Sequence, residues 1–196
     1  MKRKLPPAIG SQLHGGFVGG TLMIKDKPHL LIVAPKADGE HEPIEYGPYG
    51  KLVRGANSFN DGRANTLAMA RAGSDMAKWA VGLRIGGFKD WAIPARDQLE
   101  RLYRAFKPTK ESNYKRCGDN PSAIPPAYPY EDKSPKQTAL RLFKAGAAEA
   151  FADNWYWSST QYSAYSAWCQ YFDHGCQGWG YEDGNGRVRA VRMIPL

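Results

Sequence analysis

The chain has 196 residues, a formal net charge of +8, an aromatic content of 12%, 21 glycines and 14 prolines. That length suits one domain with a buried core, and the Gly and Pro content favours short elements joined by tight turns over a helical bundle. No run approaches the ~18 apolar residues of a membrane span, so membrane insertion is not expected. The positive charge does not imply nucleic acid either: bases gather in residues 1–36 and 96–116, whereas the aromatic-rich end balances Arg187, Arg189 and Arg192 with Asp173, Glu182 and Asp183. A nucleic-acid groove would interleave bases with aromatics.

Residues 1–14 have no periodicity of their own and form an N-terminal arm ahead of a domain spanning 15–196. Its head, Met1-Lys2-Arg3-Lys4-Leu5-Pro6-Pro7, is basic without a following apolar segment, which predicts no signal peptide. Cys117, Cys169 and Cys176, an odd number, then read as thiols and not as a disulfide framework. Residues 17–24 and 29–34 flank Lys25-Asp26-Lys27-Pro28 and predict a hairpin. Residues 35–59, rich in Gly, Pro and charge, predict loop. Asn60-Asp61-Gly62 caps a helix carrying Leu67 and Ala70, which Gly73 interrupts and Ser74 restarts through Met76, Trp79 and Ala80. A turn at residues 86–90 leads into Trp91-Ala92-Ile93-Pro94. Leu99, Leu102, Tyr103 and Phe106 fall at i, i+3, i+4 and i+7, predicting an amphipathic helix over 95–106. From 107 to 135 the pattern dissolves into Pro, Asn, Lys and Tyr, predicting a long surface insertion. Residues 137–151 predict a short helix with a defect at Gly146. Strands follow over 155–160, 166–173, 176–182 and 187–194.

Three stretches line up beyond these local patterns: Gly86-Gly87-Phe88-Lys89-Asp90-Trp91-Ala92-Ile93-Pro94 with the helix after it, Tyr156-Trp157-Ser158-Ser159-Thr160, and Gly186-Arg187-Val188-Arg189-Ala190-Val191-Arg192. Together they resemble the C-type-lectin-fold variable proteins of diversity-generating retroelements, among which are phage receptor-binding tail proteins. The resemblance implies an α+β, C-type-lectin-like fold with two or three helices packed on short antiparallel strands. It also implies a variable ligand-binding segment at 165–186. Adenine-directed copying of Asn codons would yield Tyr, Ser, Cys, Asp, His, Gly and Asn. Tyr165, Ser166, Cys169, Tyr171, Asp173, His174, Cys176, Gly178, Gly180, Tyr181, Asp183, Gly184, Asn185 and Gly186 all belong to that set. Trp168, Gln170, Phe172, Gly175 and Gln177 form the frame, and Trp179 and Glu182 depart from the scheme.

In an antiparallel ribbon alternate side chains share a face. Cys169, Tyr171 and Asp173 are therefore expected toward solvent, with Trp168 and Phe172, and also Trp155 and Trp157, inside. A turn at Asp173-His174-Gly175 would return the chain so that residues after Cys176 extend the same surface. The candidate ligand-binding set is Tyr165, Ser166, Cys169, Tyr171, Asp173, His174, Cys176, Gly178, Trp179, Gly180, Tyr181, Asp183 and Asn185. Its large rigid aromatics with short polar and Gly neighbours match the composition of antibody paratopes.

Cys169, His174 and Cys176 lack the partner cluster a zinc site needs, and Asp183 with Asn185 gives too few oxygens for calcium, so no metal or other cofactor is expected. Ser158-Ser159 read as strand residues, and no His has an evident acidic partner. The cysteine spacing does not match the sulfatase-modifying oxidases that share the broad fold. The expectation is a non-enzymatic protein, made in the bacterial cytoplasm and carried on a phage virion, that recognises a host surface protein or glycan. Its other partners would be copies of itself, as in a trimer, or other virion proteins, with residues 1–14 serving assembly. The alternatives are a virion structural or decoration protein using the same fold for assembly contacts, and an enzyme related to those oxidases.

Overall fold

The computed structural model describes residues 6–196, so the basic head Lys2-Arg3-Lys4 lies outside it. Strands β1 (Gln12–Leu13), β2 (Gly16–Ile24) and β3 (Lys27–Val33) pair antiparallel. The predicted hairpin turns on Lys25 and Asp26, both left-handed at φ 49° and 59°, so that Ile24 faces Lys27. Such two-residue turns match the right-handed twist of the strands they join. The last strand of the chain, β9 (Val191–Pro195), adds to β3 with Val33 opposite Val191. Leu31, Ile32 and Val33 are thereby buried in sequence, as in a strand covered on both faces.

The stretch 35–59, expected as loop, contains helix α1 (Lys36–Gly39) and strand β4 (Glu40–Glu45). Glu-His-Glu-Pro has little intrinsic strand preference. What makes it a strand is its partner, β8 (Asn185–Arg189), with an irregularity between His41 and Ile44 where Pro43 lies. As an edge strand it tolerates that proline. Arg187 ties the pair by binding Glu40 at 3.2 Å and Glu42 at 2.8 Å.

Helices α2 (Gly62–Ala72) and α3 (Asp75–Gly82) start where their caps predict. The Asp61 carboxylate accepts from the Ala64 amide, Gly73 ends α2 at φ 109°, and the Ser74 hydroxyl accepts from the Ala77 amide. Helix α4 (Arg96–Phe106) buries Leu99, Leu102, Tyr103 and Phe106 as their spacing demands. It also buries Glu100, whose carboxylate accepts from Arg104, Asn120 and Tyr130.

Residues 107–135 form no helix or named strand, as expected of an insertion, yet the segment is anchored. Cys117, Asn120, Ala123 and Tyr130 point into the core, and Asn120 donates to the Asp97 carbonyl at 2.8 Å. The helix expected over 137–151 is absent: only a 3-10 turn at Arg141–Phe143 forms. Gly146 takes a left-handed φ of 83°, and Phe143 and Phe151 are held instead by stacking on Phe106 and Phe172, at 3.9 and 4.0 Å. Tertiary packing wins there over local preference.

Strands β5 (Trp155–Gln161), β6 (Ser166–Tyr171) and β7 (Gln177–Tyr181) complete a second sheet in the order β4-β8-β5-β6-β7. The single strand expected over 187–194 is two strands in two sheets, β8 and β9, separated at Ala190. Ala190 bonds Gly39 and Ala34 through its backbone, and this cross-link between the sheets is where the chain switches. Helices and two largely antiparallel sheets make the fold α+β, an arrangement consistent with a C-type-lectin-like organisation.

Candidate functional site

Strand β6 and its neighbour β5 do not have one wet face and one dry face. On one side Tyr156 and Phe172 pack with Tyr103, Phe151 and Phe106. On the other, Trp157, Ala167, Cys169 and Val188 pack with Tyr46, Met69 and Ala77. A strand covered on both faces buries consecutive residues, so alternation cannot sort it. Cys169, expected in solvent, is only 8% exposed, and Ser166 is buried with its hydroxyl against Ser163. Trp157 and Phe172 are inside. Trp168 is half-buried under Arg96, whose guanidinium lies 5.0 Å from the indole centroid, and Trp155 is exposed against the edge of Tyr171.

The exposed aromatics come from the sheet edge and its turns. Among the described residues β7 pairs with β6 alone, and it carries Trp179 at 53% and Tyr181 at 61% exposure. The Tyr162 ring lies parallel to Trp179, 5.7 Å away at an interplanar angle of 2°. Tyr165 meets Tyr49 edge-on at 5.2 Å, and both are about half exposed. Asp183 and Asn185 are exposed in the turn beyond Tyr181. Tyr165, Trp179, Tyr181, Asp183 and Asn185 therefore gather at one end of the ribbon. Tyr171, Asp173 and His174 lie at the other, where Tyr114 of the 107–135 segment approaches His174.

Two residues of this surface, Tyr162 and Tyr49, fall outside the sequence-based set. Tyr162 had a signal, an aromatic in a Ser-Ala turn between strands. Tyr49 had none, because it is brought in by the Gly50 amide bonding the Ala164 carbonyl at 2.8 Å.

A cleft of about 310 Å³ opens between Trp155, Trp157, Cys169, Gly180, Tyr181 and Gly186. Its glycines are spatial necessities. A Cβ on Gly186 would sit 2.8 Å from the Trp157 indole nitrogen, and one on Gly180 would sit 3.0 Å from the ring. The indole cannot easily yield, since its N–H donates to the Ile44 carbonyl at 2.9 Å. Gly178 differs, with its nearest neighbour at 3.9 Å.

Glu182, the other departure from the sequence scheme, is fully buried within the exposed segment. Its Oε1 accepts from Gln161 Nε2 at 2.7 Å, and its Oε2 has no partner among the described residues. Burial pushes its carboxyl up to about 7, against the opposing Gln161 bond. Its backbone ties Tyr46 to Tyr165, so it anchors the surface and is not displayed by it. Burial also lifts the Cys169 thiol to about 12, and burial together with nearby Cys117 lifts Cys176 to about 11, which leaves both protonated and weakly nucleophilic near neutral pH. Among the described residues no group of three or more His, Cys, Asp or Glu is placed to hold a metal, and no helix is long and apolar enough to cross a membrane.

No curated protein matches this chain. The family model of the Lcl C-terminal domain matches residues 53–192, a span that takes in α2 to α4, the 107–135 segment and the whole ribbon with its aromatic edge. Over most of its length, then, this chain belongs to the Lcl C-terminal domain family.

Proposed function

We propose that the chain is a non-enzymatic binding protein whose β6–β7 edge recognises a protein or glycan receptor on a host cell, as a receptor-binding component of a phage tail. The observation that carries this reading is the cluster of Tyr162, Tyr165, Trp179 and Tyr181 at an unpaired sheet edge, all more than half exposed. Aromatics already ordered against one another lose little freedom when a partner covers them. The division of the segment 165–186 supports variation of the surface on a constant scaffold. Tyr165, Tyr181, Asp183 and Asn185 stand clear of the core, while Ser166, Cys169, Gly180, Glu182 and Gly186 are held by packing. The protonated, buried Cys169 thiol supports a binding role over a cysteine oxidase.

One such edge is a small interface, and small interfaces bind weakly. Assembly of copies through the N-terminal part, as a trimer or with other virion proteins, would raise apparent affinity by about 10²–10⁴. The test is adsorption of the purified chain to a panel of bacterial cells and to a glycan array, with Trp179→Ala and Tyr181→Ala alongside. Loss of at least about tenfold in adsorption with unchanged melting is expected of a hot spot. Equal adsorption by all three proteins would refute the assignment. Sequencing the DNA beside the gene for a second, divergent copy of codons 165–186 tests the diversification itself.

A further inference from the structure

The three cysteines fall into two environments. Cys169 lies in the core beneath the cleft, beside Trp157. Cys117, carried in by the 107–135 segment, meets the ribbon where β7 begins. The Gln177 amide donates to Cys117 Sγ at 3.1 Å. The sulfurs of Cys117 and Cys176 approach the same Gln177 carbonyl oxygen, at 3.5 and 4.0 Å. Because the Gln177 nitrogen is bonded to the carbonyl carbon of Cys176, standard backbone dimensions put Cys117 Sγ within about 5.5 Å of the Cys176 Cα.

The two backbones are pinned on both sides of this contact. The Tyr114 amide donates to the His174 carbonyl at 2.8 Å, the Gly118 amide to Gln177 Oε1 at 3.0 Å, and the Tyr130 amide to the Cys117 carbonyl at 2.8 Å. Disulfides demand close, fixed Cα positions, and these bonds hold the two backbones against each other at the contact. Cys117 is buried and Cys176 is half-buried, so Cys176 is the more accessible of the two thiols.

We propose that Cys117 and Cys176, free thiols in this structure, are a redox pair that closes into an intramolecular disulfide under oxidising conditions, fastening the 107–135 segment to the turn of the ribbon. The oxidant is a small disulfide such as oxidised glutathione. The Cys176 thiolate attacks one glutathione sulfur, forming a mixed disulfide and releasing one reduced glutathione. The Cys117 thiolate then attacks Cys176 Sγ and expels the second. Two protein thiols are oxidised, one glutathione disulfide is reduced to two thiols, and the two protons pass to the released glutathiones. The raised Cys176 thiol makes the reaction slow at neutral pH and about tenfold faster per pH unit over the range below 11, in step with its thiolate fraction. Cys169 takes no part, since it packs in the other cluster and its sulfur meets the Gly178 carbonyl at 3.6 Å instead.

The test is incubation of the full chain with oxidised glutathione at pH 7.5 and 8.5, acid quench, and mass spectrometry of an unreduced digest with trypsin and chymotrypsin, the second cutting at Tyr171 and Phe172 so that Cys169 and Cys176, which share one tryptic peptide, fall on separate fragments. The expected result is a crosslink joining the peptides of Cys117 and Cys176, loss of two of the three titratable thiols, a higher melting temperature, and identical behaviour of Cys169→Ser. Cys117→Ser should stop at a glutathione adduct on Cys176. Accumulation of that adduct in the unmutated chain, a crosslink that includes Cys169 or a second chain, or three unreacted thiols at pH 8.5 would each overturn the proposal.

Discussion

Replacing Glu182 by Gln should make the protein much more stable at pH 8 and only slightly more stable at pH 5. Burial of Glu182, with Oε2 unpartnered, lifts its carboxyl from 4.5 to about 7 in the folded chain. The folded state thus holds this proton more tightly than the unfolded state does. Between those pH values the folded chain carries more protons, so stability falls as pH rises. The contribution is fully present below about pH 4.5 and gone above about 7. At about 1.4 kcal/mol per pH unit, the ceiling is about 3.5 kcal/mol. Gln keeps an oxygen for Gln161 and carries no charge to desolvate. Urea titrations of both proteins at pH 5 and pH 8 provide the measurement. Glu40, Asp97 and Glu100 are also raised by burial, but they titrate in both proteins and cancel in the difference. A difference between the two proteins that does not change with pH, or that grows toward pH 5, would refute the reasoning.

Gly186→Ala should cost about 1–3 kcal/mol by forcing a methyl against the pinned Trp157 indole, whereas Gly178→Ala should be close to neutral in the same denaturant titration. Phe172→Ala, which removes a fully buried ring stacked on Phe151, should cost about 3–5 kcal/mol, while the exposed Tyr181→Ala should stay within about 0.5 kcal/mol; overlapping melting curves would contradict the division of scaffold from surface. Arg189→Ala should cost about 3–5 kcal/mol, because the fully buried guanidinium pairs with Glu149 and donates to the Ala34 carbonyl at 3.0 Å. Stability within 1 kcal/mol of the unmutated chain would show that the partners are resolvated at little cost.

The parts of the fold written in short-range chemistry were legible from the residues. Asp61, Gly73 and Ser74 each satisfy or end a helix within four positions, and the Leu99–Phe106 spacing needs no knowledge of what the helix packs against. Where the partner is distant in the chain, the same reading fails. Strand β4 exists because Arg187 and the β8 backbone bind a stretch of poor strand formers from more than a hundred residues away. The break at Ala190 depends on Gly39 and Ala34. The ribbon shows the same limit. Its period-two pattern survives on β7, but two hydrophobic clusters cover β6 from opposite sides, so Cys169 and Ser166 go inside and the exposed aromatics are Trp179, Tyr181 and Tyr162. Tyr49 joined the surface through a backbone bond that nothing in its own neighbourhood announces.

Strand β9 is drawn from the last residues of the chain, yet it completes the sheet made by the first. The exposed segment 165–186 is therefore translated before the strand that closes the domain. Any insertion or deletion that shifts the reading frame within that segment replaces Val188, Arg189 and Val191 and removes the partner of Leu31, Ile32 and Val33. Such a chain leaves the apolar first sheet open and is a substrate for proteolysis. An in-frame change at Tyr165 or Tyr181 leaves that closure intact. Folding thus acts as a proofreader of the ribbon's coding sequence, passing substitutions on the exposed surface and discarding frame errors.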